Sequence, residues 1–399
     1  LTGRDRLTTN ADLVPFLYKA ELNQNAAANA IVVDVKRRTA QELELNRSGA
    51  AAYDAAFAVL GKDQKIEDVF LNITNGEQFR SAVGQMLPDH AGGTFEGVSL
   101  GVRTLGRQLQ DPQGPKEINS GNRFTTTLNM AFWDSDRGTG NSAAYKLKGY
   151  AWSATGEYQT SVGRFGATAS YIGNHHGDGE ISDIDSTGFE LAAHWRGRFG
   201  PVSAFARGSL GKIDYQGERV FTGKIGSETV TRTMDAKWDG DFVSFAGGAA
   251  VEGGSQFFFF RPGVTVDYVR LKEDGYAETG GEALNLTVDA RKSDELAVNP
   301  SLTLGVDFLG MRAKDEQWFR VETEGGWREI LNGGLGQTTA RFAGGQAFTL
   351  EGDAATSGWF ARLRAIGGAS GFTMGGEVAG EDRHGRVTLA VRGSVTIGW

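Results

Sequence analysis

The chain has 399 residues, of which 58 are glycine, 7 are proline and none is cysteine; its 41 Lys+Arg against 49 Asp+Glu give a net charge of −8. Glycine is about twice its usual share of roughly 7% while proline is scarce, which excludes collagen-like and Pro-rich linker proteins and suits strands joined by tight turns. The missing cysteine removes disulfides, thiolate metal sites and thiol enzymes, and the acidic balance excludes a nucleic-acid partner.

No apolar run approaches the roughly 18 residues of a membrane helix, which leaves a β-barrel open, since a barrel hides its hydrophobicity in alternate residues. The opening LTGRDRLTTN is not a signal peptide, so an exported protein would be present here in processed or truncated form. Two short strands are expected at 13–22 (LVPFLYKAEL) and 30–39 (AIVVDVKRRT), then amphipathic helices over 41–88. Within them AAAYDAAFAVLG stops on Gly61, and NGEQFRSAVGQMLPD runs from a capping Asn75 to Pro88.

The next segment, TFEGVSLGVRTLGRQLQDP, repeats Phe95, Val98, Val102, Leu105 and Leu109 at helical spacing, with Ser99, Arg103 and Arg107 on another face and Pro112 as the stop. From 94 to 110 such a helix is about 25 Å long. That is about the height of an outer-membrane barrel's apolar band. From Arg123 onward, twelve alternating segments are expected, at 124–134, 146–160, 162–174, 187–198, 201–215, 240–253, 256–272, 295–309, 317–330, 357–367, 371–381 and 386–399. Their faces separate: Phe258, Phe260, Val264, Val266 and Tyr268 oppose Arg261, Thr265 and Asp267, and Phe319, Val321 and Trp327 oppose Arg320, Glu322, Glu324 and Arg328.

Spacers after even-numbered segments are short (TSVGR, FGP, GGS, GMRAKDE, GASG), whereas those after odd-numbered ones are mostly long and polar, such as QGERVFTGKIGSETVTRTMDAKWDG. Loops sorted by length onto two sides predict an all-β transmembrane fold, a 12-stranded antiparallel up-and-down outer-membrane barrel with both ends on the periplasmic side. A soluble sandwich would scramble them. The helix at 94–110 is expected in the lumen, where Phe95, Val98, Val102, Arg103 and Arg107 meet a charged wall of Arg320, Glu322, Glu324, Arg328, Arg362, Arg364 and Glu377. Trp133, Trp152, Trp195, Trp318, Trp359 and Trp399 fall near segment ends or on outward faces, as interface girdles do; a carbohydrate platform is the other reading.

Motifs of hydrolases, nucleotide sites and zinc enzymes are absent, so no catalytic residue, cofactor or metal is expected. Two weaker readings compete with the polar loop and the solvated lumen. His175 and His176 with Asp178 and Asp183 could hold a metal, and His194 with Glu190 and Arg196 could line a barrel hydrolase.

The order of parts resembles the type V secretion autotransporters. PFLYKAELNQN and NAIVVDVKRR resemble the last rungs or autochaperone part of a passenger, GEQFRSAVGQML the helical stretch before the pore helix, RPGVTVDYVRLKEDGYAETG a mid-barrel strand and loop, and VETEGGWREI a later strand. The resemblance implies a passenger stub at 1–40, a helical linker at 41–93, a pore-spanning helix and lead-in at 94–122 and a translocator barrel at 123–399. It implies export and surface display of the chain's own passenger by a monomer in outer-membrane lipid, with periplasmic chaperones and the barrel-assembly machinery as partners. That machinery would read the terminal strand through Val395, Ile397 and Trp399. Family members that cleave themselves do so at an Asn-Asn pair, which this chain lacks, and it ends on Trp rather than Phe. The alternative function is a plugged channel or porin for small solutes.

Overall fold

The computed structural model describes residues 14–23, 32–112, 123–138, 143–177, 182–255, 257–308, 317–353, 356–369 and 371–399. The expected lead-in at 113–122 and Asp178 lie outside them, as does most of the stub before Pro15.

Alternation makes the barrel. Strands β3 (Phe124–Arg137), β4 (Tyr145–Thr160), β5 (Gly163–Gly177), β6 (Ser182–Phe199), β7 (Val202–Ile225), β8 (Glu228–Val251) and β10 (Phe258–Glu273) pair in order, each antiparallel to the next. Then follow β13 (Arg291–Asp307), β14 (Gln317–Gly334), β17 (Gly358–Ala369), β18 (Phe372–Arg383) and β19 (Arg386–Gly398). β19 closes the ring on β3, from Leu389 opposite Asp134 to Gly398 opposite Thr125. The seam continues one residue further, since the Trp399 N–H donates to the Phe124 carbonyl (3.0 Å) and the Phe124 N–H to the Trp399 carbonyl (3.1 Å). A closed twelve-stranded ring leaves no edge whose N–H and C=O groups lipid would strand. The two-residue β9 (Gly253–Gly254) merely folds back on β10.

One expectation needs correction. The segment after Tyr215, read as a long polar loop, is ladder: β7 and β8 pair out to Ile225 opposite Glu228 and turn on Gly226, whose φ of 59° favours glycine. Polar residues alternate there with buried Phe221, Val230, Met234 and Trp238, so the strand period persists under a hydrophilic composition. The polar stretch GNHHGDGEISDIDST likewise lies mostly in β5 and β6.

The other long connections fold too. β11 (Tyr276–Ala277), β12 (Leu286–Val288), β15 (Thr338–Phe342) and β16 (Ala347–Leu350) form a small four-stranded sheet beyond the barrel rim. Against it and the β7–β8 tip packs the N-terminal region: a hairpin of β1 (Tyr18–Leu22) and β2 (Val33–Arg37), and helices α1 (Arg47–Leu60), α2 (Gln64–Asn72) and α3 (Gly76–Gln85). Each helix starts on a side-chain cap: Asn46 accepts from the Gly49 N–H, Asp63 from those of Lys65 and Ile66, and Asn75 from that of Gln78. Helical spacing gathers Ala52, Tyr53, Val59, Phe70, Phe79 and Val83 into one core, which runs on without a break into Phe221, Leu286, Phe342 and Phe348 of the connections. Among the described residues no helix is long and apolar enough to cross a membrane.

Candidate transport pore

Helix α4 (Gly93–Gly106), extended by a 3-10 turn over Arg107–Gln110, runs inside the ring. Its first turn lies at the mouth where the long connections fold, with Glu96 2.6 Å from Arg383 at the end of β18. Its last turn lies near the mouth of short turns, where Asp111 meets Arg392 of β19 at 2.6 Å. The chain therefore passes down the bore before β3 begins.

A glycine stripe sets where the helix sits. Gly93, Gly97 and Gly101 recur one turn apart against β5 and β3, where an added Cβ would lie 2.5 Å from His176 Cδ2, 2.7 Å from Asn174 Cγ and 3.1 Å from Ile172 Cγ2. Only a helix without side chains on that face can approach the wall so closely. Leucine at Gly97 should cost about 1–3 kcal/mol by overpacking, read as a lower unfolding temperature and faster tryptic cleavage after Arg103. Alanine at Gly106, whose nearest neighbour would be 3.8 Å away, is the matched control and should leave both unchanged.

Phe95, Val98 and Val102 are buried in a lumen cluster with Trp133, Ile172 and Ile213. Arg103 meets Glu381 at 2.8 Å and Arg107 meets Glu377 at 2.7 Å. The wall residues pair in groups. Arg364 reaches Glu377 at 2.7 Å and Glu322 at 2.8 Å, Arg261 reaches Glu322 at 2.8 Å, and Arg362 reaches Glu324 at 3.1 Å. Arg320 joins Glu252 at 2.8 Å and both oxygens of Asp307, while Arg328 joins Asp267 at 2.8 Å and Glu295 at 2.6 Å. Glu381 and Glu295 are not singled out by the sequence, nor is Asp111, which follows the lumen helix; Asp267 is read only as an inward residue. Alternation puts Glu381, Glu295 and Asp267 on the inner face, but which strand faces the helix depends on its rotation, which the glycine stripe alone signals. Val395 and Ile397 sit in the seam opposite Leu128 and Thr126, and Trp399 is exposed at its end.

Several sequence readings need correction. Trp133 and Trp318 are buried rather than at an outer girdle, since their parity places them inside; the Trp133 Nε1–H donates to Asn174 Oδ1 at 3.1 Å. Trp152, Trp359 and Trp399 are exposed. His175 and His176 point to opposite faces, as consecutive strand residues must. His175 meets Asp185 at 2.8 Å outside, whereas His176 is buried 3.9 Å from Asp89. Among the described residues no three His or carboxylates converge on a metal geometry. His194 and Arg196 share Glu157 (3.0 and 2.5 Å), while Glu190 belongs to Arg207 at 2.8 Å. Nor is the inner face polar throughout: toward the wide mouth it carries Ile213, Tyr215, Trp238, Phe242, Val269 and Leu271, all buried.

Where α4 meets the N-terminal helices, His90 is held between the Pro88 carbonyl and Ser48 Oγ, each at 2.8 Å, and burial pushes its imidazole below the usual histidine range. Beside it Asp89 pairs with Arg291 at 3.1 Å.

Comparison with known proteins agrees with this geometry. No curated protein sequence matches the chain. Among solved structures, the translocator domain of autotransporter NalP from Neisseria meningitidis matches with a TM-score of 0.54 at 14% identity, covering 75% of this chain and 96% of that one. The β-domain of the Bordetella autotransporter BrkA gives 0.46 at 12% (69% and 99% covered), and the transport unit of AIDA-I from Escherichia coli 0.44 at 11% (78% and 99% covered). The model of the autotransporter β-domain family matches residues 130–367, more than half of the chain, and with that the chain belongs to the autotransporter β-domain family of outer-membrane barrels.

Proposed function

We propose that this barrel exports its own N-terminal passenger across the bacterial outer membrane and displays it at the surface, with both barrel ends in the periplasm and the folded connections outside. The observation that carries this reading is the thread through the bore. The described residues before Gly93 pack beyond one mouth, while β3 begins at the other, so α4 spans the lumen as the last stretch of an exported chain would.

On this reading residues 1–40 are the passenger's end, 41–93 link it to the pore, 94–122 span the lumen and 123–399 are the translocator. Outer-membrane lipid contacts the outer stripe, and the barrel-assembly machinery, after periplasmic chaperones, reads the final strand with Val395, Ile397 and Trp399. A plugged solute channel gives no reason for a folded region tethered beyond the mouth. Nor is a catalytic role assigned, since His194 and Glu157 are both buried and held within the wall's own hydrogen bonds. Cysteine introduced at exposed Glu77 should react in intact cells with a membrane-impermeant thiol reagent, the chain having no cysteine of its own. Labelling only after the outer membrane is broken would overturn the orientation and with it the export reading.

A further inference from the structure

The glycine stripe that presses α4 against β3–β5 leaves the opposite side of the bore unfilled. A cavity of about 50 Å³ lies there between Arg103 and Gly106 of the helix and Arg207, Thr265, Asp267 and Asn299 of the wall. Below it, towards the short turns, a second space of about 100 Å³ lies between Gln110 and Arg196, Arg261, Thr265, Ser301 and Glu324. Thr265 borders both. Polar and apolar groups line both spaces, which are large enough to hold several waters, so the helix does not pack this side of the bore as it packs β3–β5.

Above these spaces the same strands turn apolar. Tyr215, Trp238 and Tyr276 stack with ring centroids 5.2 and 4.3 Å apart, over Phe242 and Leu271. Tyr276 also packs against the core of the N-terminal helices, so the stack is a joint between the bore and the folded region above it. That region is fastened over the same side. Asp63 meets Arg232 at 3.0 Å, Arg219 donates to the Gln85 carbonyl at 2.8 Å, Lys62 donates to the Ala343 carbonyl at 2.9 Å, and Val69 lies against Gly223.

We infer that residues 14–23 and 32–90 are the pore's outer seal, a lid docked on the β7–β8 tip and the folded connections that closes the side of the bore the lumen helix leaves open. The lid is too bulky to withdraw past α4. Its apolar core forms only together with connection side chains such as Phe221 and Phe348, so lid folding and closure are one event. The closed state is a dry aromatic layer held down by the lid, with a hydrated vestibule beneath it. The export reading enters only in deciding that the lid faces outward.

The test keeps the full chain. A Cβ at Gly223 would lie 3.2 Å from Val69 Cβ, which a small shift brings to disulfide separation. In planar bilayers the Val69→Cys/Gly223→Cys protein should be silent when oxidised and show openings when reduced. Arg232→Glu, which sets a second carboxylate against Asp63, should raise open probability about tenfold or more. In cells, Thr265→Cys should be protected from an impermeant cationic thiol reagent in the parent background and labelled with Arg232→Glu. Equal openings in the oxidised and reduced proteins, or equal labelling with and without Arg232→Glu, would overturn the lid and leave α4 as the seal. Loss of labelling at Glu77→Cys would instead mean that the orientation is wrong.

Discussion

Arginine at Val264, Val266, Leu363 or Val391 should cost each variant about 2–4 kcal/mol of folding stability where the site lies near the bilayer midplane, and less towards either rim. Each of the four is among the exposed large hydrophobics, and each alternates with inward neighbours. Val264 and Val266 flank Thr265, Leu363 lies between Arg362 and Arg364, and Val391 precedes Arg392. The physical cause is solvent, not packing. The outer stripe makes few protein contacts, so in water an arginine there would be nearly neutral, whereas in hydrocarbon it must drag its guanidinium to the headgroups or carry water inward. Equilibrium unfolding by denaturant in lipid bilayers measures the difference, with Thr265→Arg as the inward control beside Asp267 and the open cavity. The reverse ranking, with the four outward variants as stable as the parent and Thr265→Arg unfolded, would turn the barrel's faces inside out.

The barrel was legible because membrane strands obey one local rule, and that rule survives in single residues. Val264/Thr265/Val266/Asp267 states its face without reference to any other strand. What the sequence concealed was relational. Past Tyr215 the β7–β8 ladder continues through Gln216, Glu218 and Arg219, whose polarity suggests a loop; the alternate Phe221, Val230 and Met234 are hydrophobic because the N-terminal helices cover them, a partner lying some 150 residues upstream, and Trp238 because it stacks on Tyr215 and Tyr276 inside the bore. The partner of Arg103 could not be chosen among Glu322, Glu324, Glu377 and Glu381 either. All four carboxylates face inward, and the choice depends on how the helix is rotated in the bore. Gly93, Gly97 and Gly101 encode that rotation, but a glycine stripe names no partner until the wall opposite it is known. Tryptophans mislead for a related reason. Trp133 and Trp318 sit near segment ends as girdle residues do, and only parity distinguishes inner from outer; Trp318 shares its parity with Arg320.

Glu377→Ala should be the most damaging single change in the bore. Its carboxylate is fully buried and receives Arg107 at 2.7 Å and Arg364 at 2.7 Å, with Arg392 at 3.6 Å. Of the other anions nearby, Asp111 reaches Arg392 at 2.6 Å and Arg364 at 3.2 Å, and Glu322 reaches Arg364 at 2.8 Å; among the described residues neither forms an ion pair with Arg107. Truncation would therefore leave Arg107 a buried cation without an ion-pair partner, and Arg364 and Arg392 each short of one. Breaking a buried pair by removing one partner typically costs about 3–5 kcal/mol, because the remaining charge stays desolvated and unpaired. Two routes of relief exist. Water can enter from the cavity beside the helix, which would hold the loss near the lower figure, or Arg107 can swing the end of α4 away from the wall. The second route separates this carboxylate from Glu324, which reaches Arg362 but makes no ion pair with the helix. Glu377→Ala should lower the temperature at which the barrel loses its heat-modifiable form and also speed tryptic cleavage after Arg107, whereas Glu324→Ala should lower the temperature alone. Glu377→Gln should fall between Glu377→Ala and the parent in both measurements, since an amide oxygen still accepts from one arginine. An unchanged melting temperature for Glu377→Ala at low salt would mean that lumen water solvates the arginines as well as the carboxylate does, and that Glu377 does not anchor the helix.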